Sequence, residues 1–103
     1  MSPARHYDLV EAIRRRDKQA VRQCLLINGN PTFLYPRVWP HHYAEASYDL
    51  TLLRLLNQLG GNINIRSLDS QRVTALQMVE QRYGRMRSMA VRRANLLAAG
   101  AAQ

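Results

Sequence analysis

The sequence predicts an all-α fold: an α-solenoid of three helix–turn–helix units with short hairpin loops. Three observations carry that expectation. First, a leucine-rich run that closes on a Gly/Asn signal and a short extended tail occurs three times. The copies are A-V-R-Q-C-L-L-I-N-G-N-P-T (Ala20–Thr32), L-L-R-L-L-N-Q-L-G-G-N-I-N (Leu52–Asn64) and A-N-L-L-A-A-G-A-A (Ala94–Ala102). Asn28 and Gly60 lie 32 positions apart, and Gly60 and Gly100 lie 40 apart. Repetition at about 33 residues is the mark of stacked helical repeats. Second, apolar residues recur at helical spacing. Third, Gly, Asn and Pro stand where those runs stop. The 103 residues suffice for a single domain over 1–103, with repeats at about 7–34, 35–66 and 67–103.

In chain order, Leu9, Ala12 and Ile13 share one helical face, with Asp8 as a candidate N-cap. Asp17 marks a tight turn, after which Ala20, Val21, Cys24 and Leu25 repeat the pattern in a second helix. Asn28-Gly29 stops that helix because both residues tolerate positive φ, and Pro31 prevents its continuation. Thr32 to Val38 reads as a loop or hairpin tip. Pro40 suits the first turn of a short helix running to Ala46. Ser47 to Asp49 offers a break with N-cap candidates. Leu52, Leu53, Leu55, Leu56 and Leu59 make the next helix apolar on a wide face, as neighbours on both sides require, until Gly60-Gly61 ends it. Asn62 to Val73 is polar and extended, with a turn at Asp69-Ser70. Thr74 caps a helix to about Tyr83, and Gly84 separates it from the last one. There Met86, Met89, Ala90, Ala94 and Leu97 recur at helical spacing, and Gly100 is the C-cap. Met78, Met86 and Met89 read as core filler.

Fifteen basic residues face seven acidic ones, a net charge of +8. Every basic residue but Lys18 is Arg, and no acidic residue follows Glu80. Such a field attracts acidic proteins, nucleic acids or anionic lipid. Arginine adds planar, bidentate pairing with carboxylate or phosphate. A GC-rich genome produces the same excess with no functional cause. Cys24 is the lone cysteine, which fits a reducing, cytoplasmic location. No apolar stretch approaches the ~20 residues that span a bilayer. The N-terminal M-S-P-A-R-H-Y-D lacks a secretory apolar core.

At this point the chain resembles an ankyrin-repeat protein. W-P-H-H (Trp39–His42) stands where that family has T-P-L-H, and the family spacing leads from it to Leu55-Leu56 and G-G-N-I-N (Gly60–Asn64). T-A-L-Q (Thr74–Gln77) and L-L-A-A-G-A (Leu96–Ala101) echo the opening and the close in the third unit. The first unit, Leu9–Arg22 closing on N-G-N-P-T (Asn28–Thr32), is similar to the amino-terminal repeat of small bacterial ankyrin proteins. Trp39 and Gln77 depart from the expected threonine and histidine.

The resemblance implies a protein-binding module with a concave face of hairpin tips and first helices. It gives His42 a structural role, bonding loop backbone between repeats. Carried over residue by residue, the family's contact positions are Arg14 and Arg15, then Arg37, Val38, Ala46 and Ser47, then Ser70, Gln71, Val73, Gln81 and Arg82. Four arginines among them, Arg14, Arg15, Arg37 and Arg82, would make that face basic and suited to an acidic protein partner. Tyr35, Trp39, Tyr43 and Tyr48 lie beside Arg37, and such residues anchor interfaces or pack between repeats. Trp39 joins the candidate contacts on that ground.

Enzyme chemistry finds no support in the pattern. No Gly-x-Ser-x-Gly, phosphate-cradling loop or paired carboxylates occur. His41 and His42 point about 100° apart on a helix, so metal binding is not expected, nor is a cofactor. The expected function is a non-enzymatic interaction module that inhibits or neutralises an acidic protein. Nucleic-acid binding through the arginines is a second reading. A third is a scaffold that self-associates through the apolar C-terminal helix.

Overall fold

The computed structural model describes residues 6–27, 30–31 and 38–103. Six helices account for most of it: α1 (His6–Arg14), α2 (Lys18–Leu25), α3 (Pro40–Ala46), α4 (Leu50–Gln58), α5 (Ala75–Tyr83) and α6 (Ser88–Ala98). Between α2 and α3, β1 (Leu26–Ile27) and β2 (Asn30–Pro31) pair antiparallel, Leu26 opposite Pro31 and Ile27 opposite Asn30. The helices pack in consecutive pairs, α1 with α2, α3 with α4 and α5 with α6. The first members also lie side by side, α1 on α3 and α3 on α5, while α4 packs on α6. The described residues extend 41 × 28 × 21 Å.

Local chemistry sets the boundaries. Asp8 falls inside α1, not at its start. The α1–α2 turn depends on Arg16, which sits at φ 60 while the Asp17 N–H bonds the Ala12 carbonyl at 3.0 Å. That left-handed conformation costs an L-residue about 1–2 kcal/mol. Asp17 then caps α2, its Oδ1 accepting the Ala20 N–H at 3.0 Å. The helix ends at Leu25; the Asn28-Gly29 stop and the loop expected over Thr32–Arg37 lie outside the described residues. Pro40 occupies the first turn of α3, and Asp49 caps α4 through the Thr51 and Leu52 N–H groups.

The repeated phrase acquires a structural meaning at its second and third copies. Gly60 sits at φ 99, its N–H bonding Asn57 and the Gly61 N–H bonding Leu56. Gly100 sits at φ 111, its N–H bonding Leu97 and the Ala101 N–H bonding Leu96. Both close a helix with the same pair of reversed hydrogen bonds, which need a left-handed residue that glycine supplies without strain. The two closures also touch. The Asn57 amide donates to the Ala99 carbonyl at 2.9 Å, and the Asn64 amide donates to the Gly100 carbonyl at 3.1 Å.

The starts of α3 and α5 share one type of hydrogen bond. Trp39 has no hydroxyl, and His42 Nδ1 accepts the Trp39 N–H at 2.9 Å. At α5, Gln77 Oε1 accepts the Thr74 N–H at 3.0 Å while Thr74 Oγ1 accepts the Gln77 N–H. Each helix start is thus tied by the side chain three residues on, the capping-box arrangement in α5.

The core runs through all three pairs and includes Leu9, Ile13, Val21, Tyr43, Leu52, Leu53, Leu56, Val79 and Leu96. Tyr43 is fully buried and Trp39 half-buried, so packing claims Tyr43 and leaves it no role as an interface anchor. Tyr35 lies outside the described residues. Two apolar expectations fail in the last unit. Met86 is 55 % exposed, and Ala90 and Ala94 face solvent. Leu96 is the buried residue of α6, with Met89 and Leu97 packed partly against the core. Met86 precedes the helix, in the α5–α6 turn. On the side of α6 that carries Ala90 and Ala94, no described element covers the chain.

Candidate binding surface

Charge is divided between the helices by kind. All three glutamates, Glu11, Glu45 and Glu80, sit one to each first helix, while α2, α4 and α6 contain no carboxylate. Each glutamate holds an arginine: Glu11 pairs Arg15 at 3.2 Å, Glu45 pairs Arg14 at 3.3 Å and Glu80 pairs Arg93 at 3.1 Å. Exposed pairs of this kind contribute about 0–1 kcal/mol. Their importance here is for the surface: Arg14 and Arg15, expected to make a face basic, are met by carboxylates on that face.

Four of the expected contact residues are not on the surface at all. Val38 is 2 % exposed, Ala46 and Ser47 are fully buried, and Val73 is 8 % exposed. Ser47 is covered by side chains from α6, where Arg92 Nη1 donates to Ser47 Oγ at 3.0 Å and the Asn95 amide donates to the Ser47 carbonyl at 2.8 Å. Ala46 and Val38 belong to the core cluster. Arg37 lies outside the described residues. Ser70, Gln71, Gln81 and Arg82 are exposed as expected.

Gln71 and Gln81 come together in the third unit. The loop before α5 is folded by Asp69, whose Oδ1 accepts from Ser67 Oγ at 2.8 Å and from the Gln71 and Arg72 N–H groups at 3.0 and 3.3 Å. Arg72 takes a left-handed backbone, φ 49, and its carbonyl accepts from Arg66 Nη1 at 2.9 Å. Between this loop and α5 lies an open cavity of about 330 Å³, lined by Arg66, Gln71, Arg72, Val73, Gln77, Glu80 and Gln81. A second, of about 280 Å³, shares Arg66, Gln77 and Glu80 and continues past Thr74, Leu76 and Arg93 to Ala102 and Gln103. Together they form a trough along α5 with three guanidiniums and one carboxylate side chain among the described residues. Sequence reasoning missed Arg66, Arg72 and Arg93 because no motif marks them. The available signal was the Asp69 turn, which draws Arg66 and Arg72 together.

The Ser67 hydroxyl, with the Gln71 and Arg72 amides, holds the Asp69 carboxyl below its ordinary 3.8. A carboxylate depressed on folding stabilises the loop above its ordinary range and loses that contribution as pH falls through the lower folded value. Acidification from about pH 6 to about pH 3 should therefore lower the protection factors of the Gln71 and Arg72 amides, their exchange measured against the intrinsic rate at each pH, more than those of the α4 amides. An equal fall in protection at both places would refute the role of Asp69.

Among the described residues, no three His, Cys, Asp or Glu side chains converge on a common point, and no helix is long and apolar enough to cross a membrane. No family model, curated protein or solved structure matches the chain.

Proposed function

We propose that this chain is a non-enzymatic, ankyrin-like repeat module that binds an acidic protein partner and neutralises it by occupancy. The paired helices, the matching closures at Gly60 and Gly100 and the matching starts at Trp39 and Thr74 support the repeat reading. The trough along α5 carries the binding reading, because Arg66, Arg72 and Arg93 there outnumber the single Glu80. This moves the basic contact surface from α1, where Arg14 and Arg15 are paired, to α5 and the loop before it, where Arg66 and Arg72 form no ion pair among the described residues. A buried Cys24 accords with a reducing, cytoplasmic setting.

Fluorescence anisotropy with labelled poly-L-glutamate is expected to give binding that weakens with salt. A short single-stranded RNA and a DNA duplex serve as comparison probes and should bind less tightly at equal ionic strength. Tighter nucleic-acid binding with a steep salt slope would replace this reading with the nucleic-acid one. Met86 in the α5–α6 turn and Val91 on α6, 55 % and 57 % exposed, favour a scaffold reading as the second choice. Light scattering on the same samples decides it, since a module of the proposed kind remains a monomer.

A further inference from the structure

We infer that the trough along α5 takes an extended segment carrying two carboxylates two residues apart, one for each of its chambers. The inference rests on the acidic-partner reading and names the chemistry of the bound segment. The two cavities meet at Arg66, Gln77 and Glu80, so an occupant passes over those three side chains. In an extended chain, side chains at i and i+2 point the same way about 6.6 Å apart, while the residue between them points outward. One acidic side chain then enters the chamber beside Arg72, and the next enters the chamber beside Arg93.

Arg66 stands between them with its position already set. One of its N–H groups bonds the Arg72 carbonyl, and a guanidinium has four more to offer. Gln77 uses its carbonyl oxygen to accept the Thr74 N–H, which leaves its amide NH₂ for the backbone of the bound segment. Val73 and Leu76 give the floor an apolar surface, and both are already buried in the fold. Glu80 selects the pattern. It lies at the junction of the chambers, where a bound peptide presents a neutral backbone amide and where a polynucleotide, charged at every residue, presents a phosphate. Arg72 stands at the trough on a left-handed backbone, φ 49, that glycine adopts freely.

The probe is a labelled octapeptide with Glu-Val-Glu at its centre, compared with the same peptide carrying Gln-Val-Gln and with one whose two glutamates are adjacent. The Glu-Val-Glu peptide should bind at least several-fold tighter than either. Arg66→Gln should weaken it by about tenfold, the effect of one charge-assisted hydrogen bond pair. Arg72→Gly, which relieves the backbone, should weaken it several-fold while the protein stays folded. Glu80→Gln should strengthen it, because Arg93 is released and the one carboxylate side chain among the described residues of the trough is gone. Wild-type affinity in Arg66→Gln, or weaker binding in Glu80→Gln, overturns the trough. If Arg82→Gln with Arg85→Gln abolishes binding and the trough variants do not, the partner is acidic but docks elsewhere. If neither the octapeptide nor poly-L-glutamate binds at low salt, the acidic-partner reading itself falls.

Discussion

Tyr43→Ala is expected to destabilise the chain by roughly 3–5 kcal/mol, a large share of the 5–15 kcal/mol available to a domain of this size. The ring is fully buried where α3 faces α4, and its hydroxyl donates to Asn57 Oδ1 at 2.8 Å. Asn57 in turn donates to the Ala99 carbonyl, so one phenol fixes the amide that joins the second and third helix closures. Burial pushes the phenol above its ordinary range, which keeps it a neutral donor. Tyr43→Phe isolates the hydrogen bond and should cost about 1 kcal/mol.

Gly61 extends the same prediction to the backbone. A Cβ there would stand 2.2 Å from Tyr43 Oη and 2.9 Å from the Leu56 carbonyl oxygen. Gly61→Ala should therefore cost about 1–3 kcal/mol by overpacking. The double variant is the informative one. Removing the hydroxyl removes the nearest clash, so Tyr43→Phe should be neutral or stabilising in the Gly61→Ala background. Urea denaturation of the four proteins measures the coupling; additive losses would show that the glycine is not there for the tyrosine.

These residues also show how much of the molecule was legible in advance. Gly60 and Gly100 were readable because a left-handed closure demands one residue type, and Asp49 and Thr74 because a cap demands a short oxygen-bearing side chain. Such requirements are local, and sequence carries local requirements well. Which face of α6 is covered is not local. The period of Met86, Ala90 and Ala94 describes a stripe, and only the placement of α4 and α5 decides that Leu96 is the buried residue. Ser47 fails for the same reason: a hydroxyl in a turn reads as surface until Arg92 and Asn95 of α6 reach it. The trough was the least legible part. Arg66, Arg72 and Arg93 look alike in a chain of fourteen arginines, and the Asp69 turn brings only the first two together.

The contrast between Arg92 and Arg93 gives the second large expectation. Arg92→Ala should cost about 2–3 kcal/mol, since hydrogen bonds from a charged donor contribute roughly 1.5–3 kcal/mol and each stacked ring about 0.5–1. Arg92 Nη1 donates to the Ala44 carbonyl at 3.2 Å and to Ser47 Oγ at 3.0 Å, at the negative end of α3. Its guanidinium lies 4.2 Å from the Tyr83 ring centre and 5.8 Å from that of Tyr48, whose hydroxyl donates to the Ile13 carbonyl. Arg16 stacks on the same Tyr48 ring at 4.6 Å, so the turns after α1, α3 and α5 are joined through two arginines and two tyrosines. The buried Arg92 Nε has no hydrogen-bond partner among the described residues, which offsets part of the gain and sets the upper end of the range. Arg92→Lys keeps the charge and loses the planar fork, so it should recover less than half of the loss. Arg93→Ala breaks only the exposed pair with Glu80 and should change stability by less than about 1 kcal/mol. Thermal denaturation of the three variants checks the order. Equal, small effects at both positions would mean that Arg92 is a surface charge like its neighbour, and that the three turns are held by helix packing alone.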